Sequence, residues 1–391
     1  MSGLNRECLP DQASNAMSKG PLSGLLVVAL EQAVAAPLCT VRLADAGARV
    51  IKIERRGGET ARHYDAAVKG TSAYFAWLNR GKQSAVLNLK AAADLDLLFA
   101  MLAQADVLVQ NLVPGAVPRM GLTPEGIAAR FPRLITVSIN GYGQDTAYAP
   151  MRAYDMLVQA ESGLCAVTGT PDTPSKIGVS AADIATGMNA HAAVLEALIE
   201  RGQTGRGKQI EIAMFDAMAD WMAVPLLHYE HAGRETGRYG LSHASIYPYR
   251  PFACADGTVI VATQNNGEWL RLCGALDRAD LANRAEFSTN ALRVANRTAM
   301  DAELEPCFSG LTVADTIALL TSAEIAWGRY TELRDLGQHP ALRRVEVALA
   351  DGQRISLPRP AGRDASFRPG AVPATGADTN AIRQEFAGYA R

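Results

Sequence analysis

The sequence lacks most of the signatures that announce a chemistry. Its six cysteines (Cys8, Cys39, Cys165, Cys254, Cys273 and Cys307) are scattered, with no CxxC pair. That spacing gives neither a zinc site nor a disulfide framework, and reads as reduced thiols in a cytoplasmic protein. No HExxH and no close His/Cys/Asp cluster occurs, so no metal is expected. There is no GxxxxGK[ST] loop for nucleotide phosphates and no GxSxG elbow. The turn after the first apolar run, EQAVAAP (residues 31–37), lacks the glycines that let a backbone close on a pyrophosphate. NAD and FAD are therefore not expected. No apolar run approaches the about 20 residues that span a bilayer. The first twenty residues lack an apolar h-region and read as a flexible extension without a signal peptide. With a formal net charge of −2, no global field favours nucleic acid or an anionic membrane.

What is present is an α/β pattern. A chain of 391 residues is long for one core and suggests a large and a small domain. Short β-rich runs, GLLVVAL (24–30), RVIKIE (49–54), DVLVQN (106–111) and LITVSIN (134–140), alternate with helical spacing over 37–46, 92–105 and the stretch after Thr123-Pro124. This alternation predicts a Rossmann-like, doubly wound parallel sheet. A long helix over 184–200, a strand at 209–213 and a helix over 214–229 follow. Composition shifts near residue 231. We expect a large domain from residues 21–230 plus 340–391, and a small α+β domain over 231–339.

Open α/β sheets bind ligands beyond the C-terminal ends of their strands. Arg55, Lys90 (after VLNL, 86–89), Asn111, Arg119 and Asn140-Gly141-Tyr142 fall there. Several cations at such an edge suit a phosphorylated ligand without a P-loop, although each could equally be a solvated surface charge. Glu54 reads as a strand-end acid paired with a neighbour. Asp172 lies between Pro171 and Pro174, a turn by local rules.

Ordered segments through most of the chain resemble the class III CoA-transferases, the formyl-CoA and carnitine CoA-transferase family: AAPLCT (35–40), LADAGARVIKIER (43–55), YFAWLNRGK (74–82), NLVPGAVPRMG (111–121), SINGYG (138–143), VTG (167–169) with Pro171-Asp172, and GRGKQIEIAMFD (205–216). The resemblance implies that Asp172 is the catalytic aspartate and that CoA contacts fall on Val34, Ala35, Arg55, Leu87, Lys90, Asn111, Leu112, Arg119, Asn140, Gly141 and Tyr142. Several relatives carry lysine where this chain has Asn140. The resemblance also implies an interlocked homodimer that uses coenzyme A as its acyl-CoA substrate.

The implied reaction moves CoA from an acyl-CoA, with succinyl-CoA as donor, to a small dicarboxylic acid such as itaconate, mesaconate or citramalate, through an aspartyl-CoA thioester on Asp172. Arg62, Arg80, Arg152 and His243 are candidates for the substrate's second carboxylate. Gly169 and the loop RYGLSH (238–243) are candidates for the oxyanion site. The same superfamily contains α-methylacyl-CoA racemases, whose His-Asp pair is matched here by Tyr154-Asp155. Their second acid matches Asp183, which we expect to be a helix N-cap. A racemase and a non-catalytic CoA-binding paralogue are the alternative readings.

Overall fold

The computed structural model describes residues 20–389; the expected N-terminal extension and Cys8 lie outside the described residues, apart from Gly20. The chain divides into two compact units. The first runs up to Val158, resumes over Val179–Asp220 and takes in the chain from Arg343 on; the second comprises Gln159–Gly178 and Trp221–Leu342. One difference from the expected boundaries near residues 230 and 340 matters: the segment carrying Asp172 belongs to the second unit, to which Arg238 and Gly240 bond it. No helix among the described residues is long and apolar enough to cross a membrane.

The first unit is built on six parallel strands, β1 (Leu26–Leu30), β2 (Arg49–Glu54), β3 (Lys82–Val86), β4 (Val107–Gln110), β5 (Ile135–Asn140) and β6 (Gln209–Ala213), in the order β3-β2-β1-β4-β5-β6. β1 is buried along its whole length. Val28 and Leu30 enter one core with Ile51 and Leu108, while Val27 and Ala29 enter another with Val50 and Val109. A strand apolar on both faces needs helices on both. Ala92–Gln104 covers the first face; Ala35–Asp45 and Ala181–Thr204 cover the second. The last two helices approach closely because Gly187 has no side chain: a Cβ there would lie 2.6 Å from the Ala35 carbonyl oxygen.

Most expected elements are present, and three differ. The third strand is Lys82–Val86, not the VLNL run that follows it, because its polar letters and buried lysine hide it. The helix expected over 214–229 is two, Met214–Trp221 and Ala223–Ala232; Pro225 fits the first turn of a new helix but not the interior of a continuous one. Asp183 is not the N-cap of the long helix. That position is Ser180, and Asp183 is the third helical residue.

The second unit contains an antiparallel sheet of Tyr249–Cys254, Gly257–Ala262 and Ala326–Arg329. Phe252, Val261, Trp269, Phe287 and Phe308 fill its core. From Arg343 on, the chain forms a β-hairpin and the helix Thr379–Phe386, whose Ile382 and Phe386 join the first unit's core.

A buried charge network sits under the C-terminal ends of β1 and β2. Glu31 Oε1 lies 2.6 Å from Lys82 Nζ and 3.2 Å from Lys52 Nζ, and Thr40 donates to its other oxygen at 2.5 Å. Lys52 also pairs with Glu59 at 2.7 Å. Glu54 accepts from Arg62 at 2.6 and 2.8 Å, from Ser84 at 2.6 Å and from the Glu59 N–H at 2.9 Å, which makes it the paired strand-end acid expected. Burial alone would push the Glu31 carboxyl up, but Lys52 and Lys82 outweigh it and hold it at about 2. Burial pushes Lys82 down to about 8 against the pull of Glu31. Beside them, burial and then the Glu31 charge push the Cys39 thiol far up.

The network has a pH signature. Glu31 titrates at 4.5 when unperturbed and at about 2 in the fold. The stability it contributes, about 3 kcal/mol, is fully present above its unfolded value and is lost as pH falls from about 5 towards 2. Thermal melts followed by circular dichroism should show this acid-side loss. Glu31→Gln should remove that part of the slope and destabilise the protein at pH 7 by about 3 kcal/mol, since it leaves the buried Lys82 ammonium without its carboxylate and Lys52 with Glu59 alone.

Candidate active site

Asp172 stands at the tip of a tight hairpin in the second unit. Thr170 N–H donates to Thr173 O at 3.0 Å, Thr173 N–H returns a bond to Thr170 O at 3.1 Å, and Ser175 N–H donates to Thr168 O at 2.9 Å. Pro171 occupies the turn position that its fixed φ favours. Gly169 closes the base at φ 116°, where a Cβ would lie 2.2 Å from Thr173 O. Asp172 is exposed. The turn geometry and a reactive carboxylate are thus compatible: the turn is what presents it.

The hairpin is held from outside by residues 238–240. Arg238 donates to Thr170 O from Nε at 2.9 Å, to Pro171 O from Nη2 at 2.7 Å and to Ala166 O from Nη1 at 3.3 Å. Gly240 N–H donates to Gly169 O at 2.8 Å. The two segments offered as oxyanion candidates are therefore bonded to each other, and the Gly240 N–H is engaged by protein. His243 stacks on Tyr249 at 5.4 Å, and its Nδ1 accepts the Ser245 N–H at 3.0 Å. Partial burial, and then the Arg297 charge, push its imidazole below the ordinary value.

In the first unit the strand order reverses between β1 and β4, and the crevice opens there. Asn111, just past β4, accepts the Gln32 N–H at 2.9 Å and donates back to Gln32 O at 2.8 Å. Glu59 Oε2 accepts the N–H of Ala33 at 2.8 Å, and Ala33 sits at φ 62°. The turn leading to Val34 and Ala35 is thereby fixed from two sides. Both residues are buried. Beside this turn, a cavity of about 580 Å³ is lined by Leu30, Gln32, Arg55, Leu87, Lys90 and Leu112, among others. Arg55 and Lys90 are exposed, and Arg55 Nε donates to Gly58 O at 3.1 Å.

A second cavity, of about 340 Å³, lies along β4, β5 and the start of β6, with Leu112 and Asn140 among its lining residues. Asn140 donates to Glu211 at 3.0 Å. Tyr142 is buried, with its ring 5.2 Å from Tyr148 and 5.8 Å from Phe215, and Gly141 O accepts the Phe215 N–H. Arg119 is exposed at the end of the short helix Ala116–Arg119 and lines neither cavity.

Two substrate-binding candidates have their guanidinium groups engaged by protein. Arg80 is 5% exposed and donates to both oxygens of Asp45 and to Trp77 O. Arg62 donates to Glu54 from two nitrogens and to Pro373 O from the third, and lies 3.7 Å over the Phe75 ring. Neither guanidinium is free for a substrate carboxylate. Arg152 is exposed. Asp155, not Asp183, caps the long helix: its Oδ1 accepts the Ala182 and Asp183 N–H groups at 2.8 and 3.3 Å. Burial, and then the Asp155 charge, push Asp183 up to about 7. Tyr154 is 70% exposed.

A sequence model of CoA-transferase family III matches residues 22–379. The acetyl-CoA:oxalate CoA-transferase of Acetobacter aceti is 33% identical over 96% of this chain and 98% of its own length. The succinyl-CoA:mesaconate CoA-transferase of Haloarcula marismortui is 35% identical over 73% of this chain and 74% of its own. The crystal structure of a CaiB/BaiF family protein from Brucella suis superposes with a TM-score of 0.80 at 32% identity, covering 94% of this chain and all of the other. The chain belongs to CoA-transferase family III.

Proposed function

We propose that the protein transfers CoA from an acyl-CoA, with succinyl-CoA as donor, to a small dicarboxylic acid of the itaconate, mesaconate or citramalate kind, and that Asp172 carries the group in transit. The observation behind this reading is an exposed carboxylate on a rigid turn. An Asp172 oxygen attacks the donor's thioester carbonyl, the C–S bond breaks, and CoA leaves as a thiolate, giving a mixed anhydride. The thiolate attacks the Asp172 carbonyl and releases the donor acid, leaving an aspartyl-CoA thioester. The acceptor's carboxylate attacks that thioester to form a second anhydride, and the freed thiolate completes the exchange. Thiolate is a workable leaving group because its conjugate acid titrates near ~8.5.

Arg55 and Lys90 at the 580 Å³ cavity suit the phosphates of CoA. Asn111 contributes by fixing the turn beside it. Exposed Arg152 and His243 remain for the acceptor's second carboxylate. The relatives named for oxalate and mesaconate support a small diacid as acceptor.

A carboxyl at about 7, Asp183 beside Asp155, favours a second reading, proton transfer at the α-carbon of an acyl-CoA. Deuterium uptake at that carbon without any acceptor acid would select it. The third reading, a CoA-binding paralogue without catalysis, requires that no covalent adduct form.

The reading of a homodimer with interlocked chains is supported by the helix Ala223–Ala232, which exposes Val224, Leu226, Leu227 and Tyr229, each more than half. Large apolar side chains exposed in this number on one helix suit burial in an interface.

Asp172→Ala should lower kcat by at least about 10³-fold with CoA-ester binding retained, measured with succinyl-CoA and a panel of oxalate, glutarate, mesaconate and itaconate. Full activity in that variant rejects Asp172. Light scattering should give the mass of two chains, and Leu226→Glu with Leu227→Glu should weaken that association.

A further inference from the structure

We propose that Arg238 is a positioning residue for the nucleophile: by gathering the carbonyls of Ala166, Thr170 and Pro171 it sets the direction in which Asp172 projects. The inference rests on the reading of Asp172 as the group-carrying carboxylate.

Two carbonyls of the turn, those of Thr170 and Pro171, and that of Ala166 in the short helix Leu164–Val167 before it converge on one guanidinium. The contact to Pro171 O, at 2.7 Å, matters most. The peptide joining Pro171 to Asp172 is planar, so fixing its oxygen fixes the orientation of the Asp172 N–H and the line to its Cα. The bond to Thr170 O fixes the preceding peptide in the same way. With these planes held from outside, and the Asp172–Thr173 peptide held by the Thr173 N–H bond to Thr170 O, the Cα–Cβ direction of Asp172 is restricted without a bond to the carboxylate itself. The oxygens that must attack and be attacked stay available.

Only arginine suits this task. Its planar fork carries five N–H donors at fixed angles and can serve three separate oxygens; a lysine ammonium is a single point at the end of a flexible stem. Arg238 forms no ion pair among the described residues. Its charge faces peptide carbonyls on the N-terminal side of Asp172.

The strap that carries Arg238 is itself anchored. Gly240 N–H bonds to Gly169 O at 2.8 Å. Arg297 lies 4.3 Å over the Tyr239 ring and donates to Ala244 O at 3.1 Å. Asn290 donates to Ser245 O at 2.8 Å. The path from the helix Arg297–Ser309 to the nucleophile thus runs through the 238–245 segment, and a shift of that segment moves the peptides on which Asp172 is mounted.

The test uses the full chain with Arg238→Ala and Arg238→Lys, succinyl-CoA as donor and the acids of the panel as acceptors. The expected result for Arg238→Ala is a kcat lower by about 10²-fold, the loss that a misplacement of about 1 Å gives. KM for succinyl-CoA and the melting temperature should stay within about twofold and a few degrees of the parent. Arg238→Lys should recover little of the rate, and added ethylguanidinium should restore part of it in Arg238→Ala. A kcat within twofold of the parent in Arg238→Ala overturns the proposal. So does a loss of rate matched by equal losses of CoA-ester affinity and thermal stability, which would make the arginine scaffold only. Intact-mass analysis of the parent protein after mixing with succinyl-CoA and hydroxylamine separates this from the underlying reading. Absence of modification at Asp172 in the parent rejects the nucleophile, whatever Arg238→Ala does; modification in the parent that forms slowly in Arg238→Ala supports both.

Discussion

Two lysine ammonium groups inside a parallel sheet cannot keep their charge unless a carboxylate is brought to them, and Glu31 does this for Lys52 and Lys82 at once. Much of the crevice follows from that constraint. Glu31 is the residue after β1, so the strand must end where its carboxylate can reach both lysines. The chain then turns through Gln32 and Ala33, whose N–H groups are received by Asn111 and Glu59. Glu59 is in turn tied to Lys52 and Glu54. A ligand reaching Val34 and Ala35 therefore meets backbone whose position is set by buried ion pairs, not by loop sequence. Low local dielectric makes such a network stiff when complete and costly when one member is lost.

The framework was legible because it is periodic. β1, β2, β4 and β5 read as apolar runs, and Thr123 with Pro124 marks a helix start that the structure shows, with Thr123 Oγ1 accepting the Gly126 N–H. β3 was illegible because its lysine lies in the core and its apolar content is low. Asp183 was misread as a cap because the capping carboxylate, Asp155, lies 28 positions earlier; local rules carry no information on such a partner. Arg62 and Arg80 looked like ligand-binding cations for the same reason, since Glu54 and Asp45 find them only through the fold. Of the residues placed at the sheet edge, Arg55 and Lys90 line one cavity, together with Leu87 and Leu112, which only the family resemblance had offered. Arg238 carries no local signal at all, because its partners are main-chain carbonyls.

The two units carry different kinds of precision. In the first, the crevice is shaped by strands paired in register and by buried charge. In the second, the proposed nucleophile rides on a hairpin of a few residues whose form depends on one glycine and two prolines, with bracing by hydrogen bonds from a distant segment. Loops positioned by a scaffold are where reactive groups commonly sit. Here the scaffold comprises the antiparallel sheet and the helices that anchor residues 238–245.

The burial of Cys39 has a chemical consequence. It is enclosed in the helix Ala35–Asp45, the helix entered through Val34 and Ala35, and burial together with the Glu31 charge disfavours its thiolate. Activated acyl groups react with any thiolate they meet, by the same exchange that makes CoA a good carrier. A thiol kept protonated and sealed at that place, chiefly by burial and then by the Glu31 charge, offers no competing acceptor.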